Sequence, residues 1–103
     1  MQYNYNIFTQ SPEAATRKLS AYCRKRRLEK GWSRRTLSEQ SGVPAPTISK
    51  FETTGKISLG SFSAIASALG YFDELTSVMS EPKYSTAQEL ETINANRHRT
   101  KGR

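Results

Sequence analysis

Apolar side chains recur at intervals of three and four residues along most of the chain, which is the spacing of helices with one buried face. The first such stripe consists of Ala15, Leu19, Tyr22 and Cys23. Ser11 precedes it as an N-cap, Pro12 suits the first helical position, and Glu13 favours the positive end of the helix dipole. Gly31 suits the position just past the C-terminus. The pattern predicts a first helix between Ser11 and Gly31.

A second, shorter helix is predicted after Trp32, an aromatic residue at which the pattern of core side chains resumes. Ser33 suits its N-cap, Leu37 is its main inward residue, and Gly42 ends it.

The third helix begins close to two prolines. Pro44 fits near its start, and Pro46 is acceptable only within its first turn, where no intrahelical amide is needed. Ile48 and Phe51 face the core from this helix. The run at 53–55, Thr-Thr-Gly, is predicted to break it.

Two further stripes complete the pattern. Ser58 caps the fourth helix and Gly70 stops it, with a predicted buried stripe of Leu59, Phe62, Ile65, Ala66 and Leu69. The fifth ends before Pro82 and carries Tyr71, Phe72, Leu75, Val78 and Met79. Five helices with short connections predict an all-α domain over residues 11–80.

The N-terminal segment, residues 1–10, follows a different pattern. Between Gln2 and Phe8, aromatic and β-branched residues alternate with asparagines and share one face: Tyr3, Tyr5 and Ile7. Period-two alternation predicts a short β-strand, which needs a partner edge in a dimer or on another protein. A disordered arm is the alternative that the sequence leaves open.

The C-terminal segment, residues 81–103, is mostly polar and basic. Thr86 and Glu89 fit a capping box, and Leu90 and Ile93 are three residues apart, which allows a brief helix. From Asn94 onward there is nothing to bury. We therefore predict a mostly disordered basic tail.

Charge gives the first indication of a partner. The 103 residues have a formal net charge of +7 and a sequence pI of about 9.9. Only one acid, Glu29, interrupts the main cluster of cations, which consists of Arg17, Lys18, Arg24, Lys25, Arg26, Arg27, Lys30, Arg34 and Arg35. Such a cluster favours a polyanion, because each phosphate it neutralises releases condensed counterions.

Residues that carry catalysis or bind metals are scarce. Cys23 is the only cysteine, which excludes an intramolecular disulfide and an all-cysteine metal site, and the only histidine, His98, lies in the predicted tail. There is no glycine-rich phosphate loop. We predict no enzymatic activity, no cofactor and no metal. Without an apolar run long enough for a membrane span or a signal-peptide pattern, a cytoplasmic, nucleoid-associated location is expected.

The segment Gly31–Glu52 predicts one short helix, a glycine-bearing turn and a second short helix inside the basic region. This geometry lets the N-terminal end of the second helix enter a DNA major groove while the first helix braces on the backbone. RNA binding is less favoured, because the aromatic residues fall mostly in helical stripes rather than on a sheet.

The run from Leu19 to about Met79 resembles the lambda-repressor-like, or XRE-type, helix-turn-helix family. The matching pieces are Arg27, Gly31-Trp32-Ser33, Leu37, Gly42-Val43, Thr47-Ile48-Ser49, Phe51-Glu52, Ser58-Leu59, Ile65-Ala66, Ala68-Leu69-Gly70 and Leu75. The resemblance implies a five-helix bundle that binds operator DNA as a homodimer.

The resemblance and the charge pattern together predict ten DNA-binding residues. They are Arg34, Arg35, Ala45, Pro46, Thr47, Ser49, Lys50, Thr53, Thr54 and Lys56. By the resemblance, Arg34 touches a phosphate and supports a base contact at the start of the second helix. Ala45, Pro46 and Lys50 match groove-facing positions of the recognition helix.

Other matched positions imply different roles. Thr53, Thr54 and Lys56 fall in the loop that grips the DNA backbone. Arg27 and Glu52 match a salt bridge that ties the first helix to the third, which makes them structural despite the basic surroundings of Arg27.

The chain departs from the family where bases are read. Ala45 and Pro46 replace side chains that hydrogen-bond base edges, and each can only lie against a thymine methyl. Directional readout then rests on Lys50, Arg34 and Arg35, or on DNA shape.

Several of these residues have an alternative interpretation. Arg34 and Arg35 would suit a solvated helix face, although cations in a first turn oppose the helix dipole and favour a phosphate there. Lys50 would also suit an ordinary solvent-exposed surface. Trp32 suits a position in the core rather than one that stacks on a DNA base. The stripe at 71–79 fits either its own bundle or a dimer interface.

Within the family, Trp32, the strand-like N-terminus and the basic tail resemble the DNA-binding component of HipB-type toxin–antitoxin operons. This resemblance implies a dimer that represses its own operon and contacts a HipA-type toxin kinase. An antitoxin or accessory subunit acting mainly by binding that kinase is the alternative function.

Overall fold

The computed structural model describes residues 10–100 and has six α-helices in that range. They are α1 (Pro12–Glu29), α2 (Arg34–Ser41), α3 (Ala45–Thr54), α4 (Leu59–Ala68), α5 (Phe72–Thr76) and α6 (Ala87–Ala95). Helices α1 to α5 confirm the predicted all-α, lambda-repressor-like bundle. No strand occurs within residues 10–100, and the strand predicted at Gln2–Phe8 lies outside the described residues.

Hydroxyl side chains cap four of the six helices at the predicted positions. Each accepts a hydrogen bond from the amide three residues ahead, at 3.0–3.1 Å, and the caps are Ser11, Ser33, Ser58 and Thr86. Because these bonds satisfy amides that have no partner inside the helix, helix starts are set locally by the sequence. Pro44 and Pro46 flank the start of α3, also as predicted.

The core lies where α1, α2, α3 and α4 meet. Its largest fully buried side chains are Leu37, Ile48, Phe51 and Ile65. Phe62 packs edge-on against Phe51, with ring centroids 5.7 Å apart, and Trp32 packs on the cluster from outside. Burial, together with the charge of Glu52, raises the pKa of the Cys23 thiol to about 11, so the thiol is protonated and unreactive at neutral pH.

Four apolar side chains predicted to face the core lie at the surface instead: Ala15, Leu19, Tyr22 and Leu59. Tyr22 is 59% exposed and Leu59 76%. Of the predicted stripe, helix α1 buries only Cys23, and it does so on a face that also carries two polar side chains, Ser20 and Arg27. The prediction was wrong because apolar spacing marks a stripe without showing which side of the helix meets the bundle.

Two helix ends also differ from prediction. Helix α3 runs to Thr54, two residues into the predicted break at 53–55. Helix α5 ends at Thr76, before the last two apolar residues of its stripe. Met79 has a φ of 62°, in the left-handed region that non-glycine residues rarely adopt. The stripe at 71–79 is therefore helical only in its first half.

Helix α6 confirms the brief helix and the N-cap half of the predicted capping box. The Thr86 hydroxyl oxygen accepts a hydrogen bond from the Glu89 amide at 3.1 Å, and the Ser85 hydroxyl donates to the Glu89 carboxylate at 2.8 Å. The helix reaches Ala95, two residues into the segment from Asn94 that was predicted to be disordered. The division into an arm, a domain and a tail stays a prediction.

Gly55, at the end of α3, is expected to tolerate no side chain. Its φ is +79°, and a Cβ would lie 3.2 Å from the Thr16 hydroxyl and 3.3 Å from the Thr16 carbonyl carbon. Gly55→Ala should therefore lower the free energy of unfolding by about 2–4 kcal/mol, from left-handed strain and from overpacking against α1. Urea denaturation measures this change.

Two other glycines serve as controls. Gly42→Ala meets the same left-handed conformation without a nearby atom, so it should cost only the strain, about 1–2 kcal/mol. Gly60 lies inside α4 with open space around it, and Gly60→Ala should stabilise the protein by about 0.5–1 kcal/mol. Equal losses at Gly55 and Gly42 would contradict close packing of the α3 end on α1.

Candidate nucleic-acid interface

Helix α3 presents one face to the core and the opposite face to solvent. Ile48 and Phe51 are buried, whereas Pro46 and Lys50 are exposed on the outer side. Pro46 and Lys50 also border an open depression between α3 and the start of α4. The outer face is free to enter a concave partner such as a DNA groove.

The last turn of α3 holds residues predicted to lie in a backbone-gripping loop. Thr53 and Thr54 are helical, and their hydroxyls donate to the carbonyl oxygens of Ser49 at 2.9 Å and of Lys50 at 2.6 Å. The Lys56 amide donates to the Thr54 hydroxyl oxygen at 3.1 Å. Since these donors are used inside the protein, the exposed Lys56 ammonium is the group here best placed for a phosphate.

A buried carboxylate links three helices behind the outer face of α3. The Glu52 side chain has no exposed area and receives two hydrogen bonds from Arg27, each 2.8 Å long. Arg34 donates a third from its Nε at 3.1 Å. Arg27 also donates to the Trp32 carbonyl oxygen at 2.8 Å. These bonds confirm the predicted Arg27–Glu52 bridge and fix α1, α2 and α3 relative to one another.

The participation of Arg34 in this cluster was not predicted. The sequence carried no local signal for it, because Arg34 and Glu52 are 18 residues apart and lie on different helices. The Arg34 side chain is 40% exposed, and its two terminal nitrogens have no hydrogen-bond partner within residues 10–100. One edge of the guanidinium is anchored, and the other is available to an anion.

The charges of this cluster are stable near neutral pH. Burial raises the pKa of Glu52, but hydrogen bonds from Arg27 and then Arg34 lower it more, so the carboxyl pKa lies below its ordinary value. The hydrogen bond to Glu52 raises the pKa of Arg27. Two guanidiniums against one carboxylate leave positive charge at the N-terminal end of α2, beside the outer face of α3.

The remaining predicted site residues lie on the same two helices and their borders. Arg35 is 89% exposed and has its Nε 3.5 Å from a Glu39 carboxylate oxygen, in a solvent-exposed pair. Ala45, Thr47 and Ser49 are half-buried on α3. The structure therefore places all ten predicted residues on α2, α3 and the start of the α3–α4 connection.

An apolar groove lies away from this face, between α1, α4 and α5. It has a volume of about 530 Å³. Leu19, Tyr22, Tyr71 and Val78 line it and are exposed, and Arg26 and Glu74 are its charged lining residues. Leu19 and Tyr22, which were predicted to face the core, and part of the stripe at 71–79, which fitted either the bundle or a dimer, line this groove.

These features define a helix-turn-helix protein with a solvent-facing second helix. The family model described as helix-turn-helix matches residues 24–75, slightly more than half of the chain. The chain belongs to this XRE-like family, whose domain is a DNA-binding regulatory module. No curated protein and no solved structure matches the chain.

Two further observations concern the described part of the chain. Residues 10–100 contain no group of histidine, cysteine, aspartate or glutamate side chains that would hold a metal ion. None of the helices in this range combines the length and apolar character that a membrane span requires.

Proposed function

We propose that this protein is a transcriptional repressor that binds double-stranded operator DNA in a sequence-specific manner. The observation that carries the proposal is the outer face of α3, which is exposed while Ile48, Phe51 and Glu52 anchor its other side. A rigidly held helix with one free polar face suits insertion into a major groove.

The proposed contacts are of two kinds: those that position the protein on the DNA backbone and those that read the bases. Arg34, Arg35 and Lys56 would bind phosphates on either side of α3 and set its register. Lys50 would donate to the acceptor edge of a guanine, and Pro46 would lie against a thymine methyl. Ala45, Thr47, Ser49, Thr53 and Thr54 complete the surface that faces the duplex.

We further propose that two copies bind a palindromic operator. The apolar groove beside α5 and the exposed stripe at 71–79 support a dimer, because a monomer leaves this large apolar surface in water. Two recognition helices would then enter successive major grooves about 34 Å apart. The cell compartment implied by this function is the cytoplasm, on the nucleoid.

Lys50→Ala tests the reading of bases. Duplexes selected from a random-sequence pool supply the operator, and titration in fixed salt supplies the affinity. The variant should bind the selected site about 1–3 kcal/mol more weakly and should lose discrimination at one base pair. Lys83→Ala is the matched control, since Lys83 is an exposed lysine outside the helix-turn-helix. Equal weakening on all sequences would make Lys50 a phosphate contact instead.

An antitoxin role remains the second candidate function. It rests on the resemblance to HipB-type proteins and on the N-terminal pattern at Gln2–Phe8, which lies outside the described residues. We propose that the protein regulates a toxin–antitoxin operon and binds a HipA-type kinase. Co-purification with the product of the adjacent gene tests this role, and failure to form a stable complex would remove it.

A further inference from the structure

The cations of α1 fall into two groups. Arg26 lies 3.0 Å from a Glu29 carboxylate oxygen, and Arg27 is bound to the buried Glu52. The second group consists of exposed cations with no carboxylate within 4.0 Å among residues 10–100, and its members are Arg17, Lys18, Arg24 and Lys25. We call this second group the α1 basic stripe.

Helical geometry places the stripe on a single side of α1. Arg17 and Arg24 are seven residues apart, as are Lys18 and Lys25, so each pair repeats after about two turns, or about 10.5 Å along the axis. At about 100° per residue, the four side chains span an arc of about 120° whose centre points away from the buried Cys23 and Arg27. Arg24 borders the buried side, one turn before Arg27, and Lys18 borders the groove-lining side, one turn before Tyr22.

The helix that carries the stripe lies beside the proposed DNA-binding surface. A Cβ at Gly55 would lie 3.4 Å from the backbone nitrogen of Arg17, so the backbone of α1 at the N-terminal part of the stripe lies beside the end of α3. Lys56, a proposed phosphate contact, follows Gly55 directly and is exposed. Exposed cations therefore occur both at the α3–α4 connection and along the neighbouring helix α1.

We propose that the α1 basic stripe is a second surface for double-stranded DNA, which binds the phosphates of duplex flanking the operator half-site. This inference rests on the proposed function, because the half-site contact brings the flanking duplex to α1. Clustered cations without local carboxylates repel one another, and flanking phosphates would relieve that repulsion while releasing counterions. The stripe adds affinity and footprint length without adding base specificity.

The test compares short duplexes carrying only the selected operator with duplexes extended by flanking sequence on both sides. The wild-type protein should bind the longer duplex at least about tenfold more tightly, with a steeper dependence on salt. A stripe variant should lose this gain. Its four substitutions are Arg17→Gln, Lys18→Gln, Arg24→Gln and Lys25→Gln. Its slope of log affinity against log salt on the long duplex should be shallower by about 7, because four cations are removed from each chain of the proposed dimer, while its base preference is unchanged.

Two controls separate the stripe from net charge and from folding. Arg17→Lys with Arg24→Lys keeps the charge and should keep the gain from flanking DNA. A second control variant removes cations from the C-terminal segment and should keep most of the gain from flanking DNA. Its substitutions are Lys83→Gln, Arg97→Gln and Arg99→Gln. Circular dichroism of each variant verifies that the helices are retained.

The possible outcomes are distinct. An unchanged gain in the stripe variant overturns the inference and leaves the proposed function standing. Equal weakening on short and long duplexes also overturns it, because the stripe would then belong to the core site. Tighter binding of the stripe to single-stranded RNA or to acidic lipid vesicles than to flanking duplex would reject DNA as its partner. Failure of the wild-type protein to select any duplex would refute the proposed function itself.

Discussion

Glu52→Gln should lower the free energy of unfolding by about 3–5 kcal/mol, enough to unfold a large part of a marginally stable small domain. The variant keeps the side-chain shape but removes the charge that three hydrogen bonds from Arg27 and Arg34 now satisfy. The Arg27 side chain is 6% exposed, so its guanidinium would stay in the interior without a counter-ion. Urea denaturation at neutral pH measures the loss.

Glu39→Gln provides the matched control. Glu39 also faces an arginine, but the pair with Arg35 is exposed and 3.5 Å long, so the same substitution there should change stability by less than about 0.5 kcal/mol. A similar effect at both positions would show that the buried cluster does not hold α1, α2 and α3 together.

The pH dependence of the same variant adds a second measurement. Because the pKa of Glu52 is lowered in the folded protein, its stabilisation is fully present above the pKa of the unfolded chain, near about pH 4. It is lost as the pH falls through the lower folded pKa. The stabilities of wild type and Glu52→Gln should therefore converge in acid, and a constant difference down to that range would contradict ionisation of Glu52 as the cause.

The affinity for operator DNA should fall by about 10³ to 10⁵ when salt is raised from about 50 to about 200 mM. Each chain offers four cations on the proposed interface: Arg34, Arg35, Lys50 and Lys56. A dimer presents each of these cations twice and can neutralise about eight phosphates. This number falls within the range of about 6–10 phosphate contacts for which such losses are expected. Fluorescence anisotropy on a short operator duplex, without flanking DNA, measures the slope.

Lys56→Gln should reduce that slope by about 2, one unit for each chain of the dimer, without altering base preference. The reason is that Lys56 has the ammonium best placed for a phosphate at the end of α3, where both threonine hydroxyls donate to carbonyl oxygens. A shallow wild-type slope would mean that few phosphates are neutralised and would contradict the proposed docking of α3.

Features with a local physical cause were predicted from the sequence. The caps at Ser11, Ser33, Ser58 and Thr86 are short-range hydrogen bonds between near neighbours. Pro46 is restricted to a first helical turn by its own ring. The resemblance to the family also implied the Arg27–Glu52 bridge, which joins residues far apart in the chain and which spacing alone would not have indicated.

Features that depend on which helix faces meet were predicted poorly. Leu19 and Tyr22 have apolar spacing, yet α1 packs through the adjacent face and leaves them along a groove. Arg34 was assigned to DNA alone, and the structure also shows it anchored on Glu52. In both cases the partner is distant in sequence, so no local pattern could indicate the contact.

The sequence by itself determined that the chain forms short capped helices, that a glycine-bearing turn joins α2 to α3, and that the surface is strongly basic. These follow from backbone geometry, capping chemistry and charge, which act over a few residues. Only the tertiary structure decided which side of α1 is buried, which cations are neutralised by Glu52, and which remain free along the α1 basic stripe. Those outcomes depend on how rigid helices share one small core, because burying one face of a helix necessarily exposes another.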